Sequence, residues 1–178
     1  MIQRVTVYCA SSDKIADKYR DPARELGALL GSRGLEVING AGRFGLMGIL
    51  SDAVMEAGGT VTGVIPEFMI DNGWCHQGLT RLIRTRTMHD RKRTMAEMAD
   101  AAIALPGGYG TMEELLEIIT WRQLGLFNKP IIILNTGSYY NLLLAMFQHA
   151  SFEGFMRDET AKLWKDARTP NEVIQLLF

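Results

Sequence analysis

The 178-residue chain has little cysteine and almost no net charge, and each shortage argues against a class of protein. Its only cysteines, Cys9 and Cys75, are too few for a disulfide framework or a zinc site, so we expect a reduced, cytoplasmic protein without a metal. Nineteen Lys and Arg residues stand against twenty Asp and Glu residues, which gives no indication of a surface for nucleic acid or an anionic membrane. No apolar run approaches the roughly 18 residues that a membrane span needs.

What is present is an alternation of β-rich and helical segments along the whole chain. Apolar, β-branched runs predict strands at 2–8, 35–38, 60–65, 80–84, 101–105 and 130–134. Apolar periodicity and end signals predict helices at 17–32, 45–57, 89–99, 111–124, 140–150 and from 170 onward, whereas 68–79 is expected to be a loop. The alternation predicts a single α/β domain over residues 1–178, built as a Rossmann-like, doubly wound parallel sheet with helices on both faces.

The first of two glycine-rich turns is Gly40-Ala41-Gly42-Arg43-Phe44-Gly45, which follows a predicted strand and opens a predicted helix. Glycines at such a turn let backbone N–H groups approach a phosphate beside the positive end of the helix. Glu67 lies 22 residues beyond Gly45, where a ribose-binding acid could stand, so a dinucleotide-dependent oxidoreductase is one alternative. The turn follows the second strand rather than the first, however, and a tight turn without a ligand is the other alternative.

The second turn is Pro106-Gly107-Gly108-Tyr109-Gly110-Thr111, which also joins a predicted strand to a predicted helix. Its three glycines leave little side chain to pack, so its backbone is open to an anion. Glu114, three residues beyond Thr111, has two readings. The spacing of Thr111 and Glu114 is that of a capping box, which would leave Glu114 at the helix surface, but the carboxylate could equally belong to the site.

Arg91 lies in a basic run from Arg81 to Arg93 that could hold a small anion or form a solvated helix face. Arg91, Met95 and Met98 have the spacing of one helix face, which places a guanidinium on an apolar edge. The side chain either extends along that edge to solvent or is held inward as a cation for an anionic ligand.

The motif Met88-His89-Asp90-Arg91-Lys92, followed by the pattern P-G-G-x-G-T-x-x-E over 106–114, resembles the Lonely Guy family. Its members are cytokinin riboside 5′-monophosphate phosphoribohydrolases, many of them labelled "possible lysine decarboxylase". The resemblance runs from Val5 to Phe155 and implies a Rossmann-like fold. It also implies hydrolysis of the N-glycosidic bond of an adenine-type nucleoside 5′-monophosphate, AMP or a cytokinin riboside monophosphate, without a cofactor. A nucleotide-binding protein without catalysis is the alternative.

The resemblance also implies a set of site residues and an assembly. Arg91 and Glu114 fall on the catalytic arginine and glutamate of the family. The residues expected to contact the nucleotide are Gly42, Met88, Lys92, Gly107, Gly108, Tyr109, Gly110, Thr111, Met112, Glu113 and Thr120. The family implies a homodimer with the site near the interface. Apolar residues that lie off the main stripe of the helix over 111–124, or just beyond it, independently predict such an interface; they are Ile118, Trp121 and Leu126.

Overall fold

The computed structural model describes residues 1–156 and 162–178, which form a seven-stranded sheet covered by helices on both faces. Every strand pair is parallel, and the spatial order is β4-β3-β2-β1-β5-β6-β7. The strands are β1 (Arg4–Tyr8), β2 (Glu36–Asn39), β3 (Thr60–Pro66), β4 (Arg81–Thr85), β5 (Ala101–Ala104), β6 (Ile131–Leu134) and β7 (Lys165–Ala167). The predicted fold class is therefore confirmed.

Seven helices form the two outer layers of the described chain. They are α1 (Asp17–Ser32), α2 (Gly45–Glu56), α3 (Glu67–Asp71), α4 (Met88–Met98), α5 (Tyr109–Gln123), α6 (Asn141–Phe152) and α7 (Pro170–Leu177), with a 3₁₀ turn at Thr136–Ser138. Helices α1, α2 and α7 bury their apolar faces on one side of the sheet, and α4, α5 and α6 bury theirs on the other. Within the described residues no helix combines the length and the apolar composition needed to cross a bilayer.

Three elements differ from the sequence-based expectations. The short edge strand β7 was not predicted, because Lys165-Asp166-Ala167 has no β-rich pattern and is positioned by pairing with β6. The expected loop over 68–79 contains most of the five-residue helix α3. Helix α5 begins at Tyr109 rather than at Thr111, because extended Gly108 occupies the position that precedes the first helical residue.

The strand order fixes where a ligand can lie. The chain winds from β1 outward through β2, β3 and β4, and then returns to place β5 on the other side of β1. The connections after β1 and β5 therefore leave the sheet in opposite directions, which opens a crevice at their carboxyl ends. Both glycine-rich turns face this region, since one follows β2 and the other follows β5.

Candidate active site

A cavity of about 570 Å³ lies at the carboxyl ends of β1, β2 and β5, a size that suits a small organic ligand. Its wall combines the loop after β1, both glycine-rich turns, and side chains from α3, α4 and the segment after α3. The lining residues are Cys9, Ala10, Ser11, Ser12, Gly40, Gly42, Phe44, Met47, Met69, Trp74, Arg91, Gly108, Tyr109, Gly110, Thr111 and Glu114. The predicted catalytic pair and four residues of the second turn thus share one cavity.

The second turn offers unpaired backbone donors to this cavity. Among residues 1–156 and 162–178, no atom accepts a hydrogen bond from the backbone N–H groups of 107–111. The first bonded amide is that of Met112, which donates to the Gly108 carbonyl at 3.0 Å. These amides stand at the N-terminus of the 15-residue helix α5, where the helix dipole favours negative charge. The second turn can therefore offer several N–H donors to an anion.

In the first turn, in contrast, four of the six N–H groups donate to other atoms of the protein. The N–H groups of Ala41 and Arg43 donate to the Asn39 side chain and to the Trp74 carbonyl. The N–H of Gly45 donates to the Asp13 carboxylate at 3.0 Å, so a carboxylate of the chain itself closes the N-terminus of α2. Gly45 has a φ of +64°, and a Cβ there would collide with the backbone of the loop after β1. The first turn therefore offers fewer free amides to the phosphates of a dinucleotide than the second turn offers to an anion.

The first turn instead anchors the wall that contains Trp74. An isolated antiparallel bridge pairs Gly42 with Cys75, and the His76 N–H donates to the Ala41 carbonyl at 2.8 Å. This pairing holds the half-exposed Trp74 ring at the cavity. Together with Phe44, Met47 and Met69, Trp74 gives one side of the cavity an apolar wall. The N–H of Gly42 itself contacts the Met47 sulfur at 2.9 Å.

Arg91 is held inward by backbone carbonyls from two strand ends. Its Nε donates to the Val64 carbonyl at 3.0 Å, and one terminal nitrogen donates to the Gly40 carbonyl at 2.9 Å. Only 6% of the residue is exposed, so the reading as a solvent-directed side chain is wrong. A Cβ on residue 40 would overlap the guanidinium, which explains glycine at that position. Of the basic run from Arg81 to Arg93, only Arg91 lines the cavity.

Glu114 is a buried acid whose carboxyl group faces the cavity. It is 7% exposed, and α5 begins two residues before Thr111 without a side-chain cap, so both the capping-box and the solvent-facing readings are wrong. Burial raises the pKa of Glu114 to about 7, and Arg91 across the cavity partly opposes this rise by favouring the charged form. Burial also disfavours the charged form of Arg91 and so lowers its pKa. The acid is therefore poised to exchange a proton near neutral pH.

The remaining residues expected to contact a nucleotide are not part of the cavity lining. The Lys92 ammonium is buried between α4 and α5, where it forms ion pairs with Glu113 and with Glu117, the latter at 3.2 Å. Met88 stands next to Arg91, with its sulfur 3.8 Å from a guanidinium nitrogen. Thr120 lies at the exposed surface of α5, and its hydroxyl donates to the Leu116 carbonyl at 2.8 Å. The others outside the lining are Gly107, Met112 and Glu113.

Sequence reasoning missed two parts of the cavity. The loop after β1 contributes the backbone and side chains of 9–12, and the rule that ligands lie at the carboxyl ends of strands could have identified it. The aromatic and methionine side chains of the apolar wall carry no pattern in sequence, because they converge from α2, α3 and two connecting segments.

Comparison with protein families gives a match over most of the chain. The family model described as "Possible lysine decarboxylase" matches residues 47–177. A cytokinin riboside 5′-monophosphate phosphoribohydrolase of Arabidopsis thaliana is 42% identical over 175 residues, which cover 98% of this chain and 77% of the relative. A protein of the same name from Rhodococcoides fascians is 46% identical over 157 residues, covering 88% of this chain and 79% of the relative.

Solved structures share the fold at lower identity. The molybdenum cofactor binding protein of Rippkaea orientalis superposes with a TM-score of 0.74 at 20% identity, covering 99% of this chain and 95% of that one. The protein TM1055 superposes with a TM-score of 0.73 at 25% identity, covering 98% of each chain. At such identities the likeness to the molybdenum cofactor binding protein concerns the fold alone.

Proposed function

Since the chain belongs to the Lonely Guy family of phosphoribohydrolases, we propose that it hydrolyses adenine-type nucleoside 5′-monophosphates to the free base and ribose 5-phosphate. One observation carries the proposal: a buried carboxyl group, a buried guanidinium and a row of unpaired helix-terminal amides meet in a single cavity. The amides suit a phosphate, and the two ionisable groups suit a phosphoribosyl unit whose glycosidic bond is broken.

Each part of the cavity has a role in this reaction. The amides of Gly108 to Thr111 bind the 5′-phosphate, and the apolar wall formed by Phe44, Met47, Met69 and Trp74 receives the base. Arg91 adds a cation for the phosphoribosyl group. The residues outside the lining, Met88, Lys92, Gly107, Met112, Glu113 and Thr120, remain proposed nucleotide contacts, as does Gly42 within it.

The reaction needs a group that stabilises positive charge and then accepts a proton. The bond between the base nitrogen and C1′ breaks with its electron pair on the base, which leaves an oxocarbenium-like sugar. The Glu114 carboxylate stabilises that charge and accepts a proton from the water that adds to C1′. It then releases this proton to solvent, and the departing base takes up one proton from solvent, so that one water is added across the broken bond. The Glu114 pKa of about 7 suits this task, because a general base works best when its pKa lies near the operating pH.

We also propose that the enzyme is a cytoplasmic homodimer. Tyr109, Leu116 and Leu124 follow the outward face of α5 and are 94%, 42% and 66% exposed, which is more apolar surface than an isolated helix face usually presents. Glu113 and Thr120 lie along the same face. A partner packed there would bring these two proposed contact residues near its own cavity.

Product analysis separates this proposal from its alternatives. The purified protein is incubated with AMP, with isopentenyladenosine monophosphate and with adenosine, and the products are separated by chromatography. We expect free base and ribose 5-phosphate in equal amounts from the monophosphates and little turnover of adenosine. Tight binding without products would support a binding protein instead, and a requirement for a nicotinamide cofactor would support an oxidoreductase.

A further inference from the structure

Three successive carbonyl groups at the start of the second turn each accept a hydrogen bond from another part of the chain. The Tyr140 hydroxyl donates to the Leu105 carbonyl at 2.6 Å, and the Tyr139 hydroxyl donates to the Gly107 carbonyl at 2.7 Å. Between them, the Ala10 N–H donates to the Pro106 carbonyl at 3.2 Å. Three successive carbonyl oxygens are thus held by donors from outside the turn.

Holding a carbonyl also orients the amide of the next residue. In a trans peptide the C=O and the following N–H point in opposite directions. The bond from Tyr139 to the Gly107 carbonyl therefore directs the N–H of Gly108 away from Tyr139, and Gly108 lines the cavity. The bond from Tyr140 has no such effect, because the residue after Leu105 is proline and carries no N–H.

The turn that presents the two tyrosines is shaped for this contact. Gly137 and Ser138 both have a φ of +59°, which is unfavourable for serine. The Asn135 side chain closes the turn by accepting the Tyr140 N–H at 2.7 Å. Strain of this kind persists only where the surrounding structure holds it, and it clusters at functional sites.

Packing limits the freedom of the Tyr139 ring. It stands edge-to-face with Tyr19 of α1 at 5.7 Å and with Tyr140 at 5.0 Å between ring centroids. The ring is therefore fixed on two sides while its hydroxyl reaches the turn. The Tyr19 hydroxyl has no hydrogen-bond partner among the described residues, so Tyr19 supplies a ring contact only.

We propose that Tyr139 is a positioning residue for phosphate recognition, which holds the Gly107–Gly108 peptide so that its N–H points at the 5′-phosphate. The proposal rests on the proposed function, because it assigns the phosphate to the second turn. Tyr139 itself does not line the cavity, and it acts through the peptide that it holds. Tyr140, by the same reasoning, stabilises the end of β5 and does not orient an amide.

The test compares ligands with and without the phosphate. AMP and adenosine are titrated by calorimetry into the Glu114→Gln protein, so that AMP is not consumed, and into the same protein carrying Tyr139→Phe. We expect Tyr139→Phe to weaken AMP binding by about three- to tenfold, the effect of one neutral hydrogen bond, and to leave adenosine binding unchanged. Tyr19→Phe is the matched control, since it removes a neighbouring hydroxyl without a bond to the turn, and it should change neither affinity.

The outcomes separate this inference from the proposed function. If the Glu114→Gln protein prefers AMP over adenosine and Tyr139→Phe leaves that preference intact, the positioning role is overturned while the proposed function stands. An equal loss of affinity for both ligands also overturns it, because a general structural effect would not discriminate between them. If the Glu114→Gln protein itself shows no preference for AMP, the proposed function fails and the inference fails with it.

Discussion

Two residues illustrate how burial turns ordinary side chains into reactive ones. Arg91 and Glu114 come from different helices, and both are almost fully buried although each can carry a charge. Burying a charge without a close partner costs free energy, and the cost is visible in the raised pKa of Glu114. Each of the two charges favours the charged form of the other, and both side chains line the cavity, where a ligand can contact them. The price in stability is itself measurable.

Replacing Glu114 by glutamine should make the protein more stable at neutral and alkaline pH. The folded-state pKa of about 7 lies above the ordinary value of 4.5, so the parent loses stability as the pH rises from 4.5 to about 7. Glutamine has no such charge, and we expect Glu114→Gln to exceed the parent by about 1 to 3 kcal/mol at pH 8 and to match it near pH 4.5.

Urea unfolding at several pH values measures this difference. Glu113→Gln is the control, because it removes the same charge from the exposed side of the same helix. A stability difference between Glu114→Gln and the parent that stays constant from pH 4.5 to pH 8 would show that the carboxyl is not desolvated as described.

At the scale of single elements, the two glycine-rich turns have similar sequences and different roles. Both join a strand to a helix, and the sequence of the first matches the better-known fingerprint. Only the structure shows that Asp13, which is 32 residues before Gly45, occupies the N-terminus of α2. No local sequence pattern predicts a contact between residues so far apart in the chain. Which of the two turns has free N–H donors could therefore not be predicted before the fold was known.

Removing the Asp13 carboxylate should destabilise the protein through α2. The Gly45 N–H would lose its acceptor, and a lost cap of this kind costs about 0.5 to 2 kcal/mol. We expect Asp13→Ala to show that loss in urea unfolding. Asp21→Ala is the control, because Asp21 is exposed and pairs with Arg24 one turn away, and its loss should be smaller. Equal stability of Asp13→Ala and the parent would mean that the cap contributes nothing.

At the scale of the whole molecule, sequence reasoning identified the layers better than the surfaces. Alternating strand and helix patterns predicted the parallel sheet and six of its seven strands. They could do so because the apolar pattern of each element reflects which of its faces is buried against the other layer of an α/β fold. The outward face of α5 was harder to predict. Ile118, expected at an interface, is buried, since α5 packs against α4 as well as against the sheet. Leu126, by contrast, is exposed as expected.

A charge placed on the outward face of α5 should separate the proposed dimer. Leu116 stands near the middle of that face and is 42% exposed, so a glutamate there would be buried between two copies without a partner. We expect light scattering to give a dimer for the parent and a monomer for Leu116→Glu. Phe178→Glu is the control, because Phe178 is exposed at the end of α7 on the opposite side of the sheet. A monomeric parent at micromolar concentration would contradict the proposed assembly.

The proposed chemistry is tested most directly by the release of base and ribose 5-phosphate from AMP and isopentenyladenosine monophosphate by Glu114→Gln and Glu113→Gln at pH 7.5. The two variants lose the same charge one residue apart on α5, but only Glu114 lines the cavity. Glu114→Gln should lose about a hundredfold or more of the parent rate, the usual contribution of an acid–base group, while Glu113→Gln loses much less. A Glu114→Gln protein that hydrolyses these nucleotides as fast as the parent would contradict the catalytic role of the buried carboxylate.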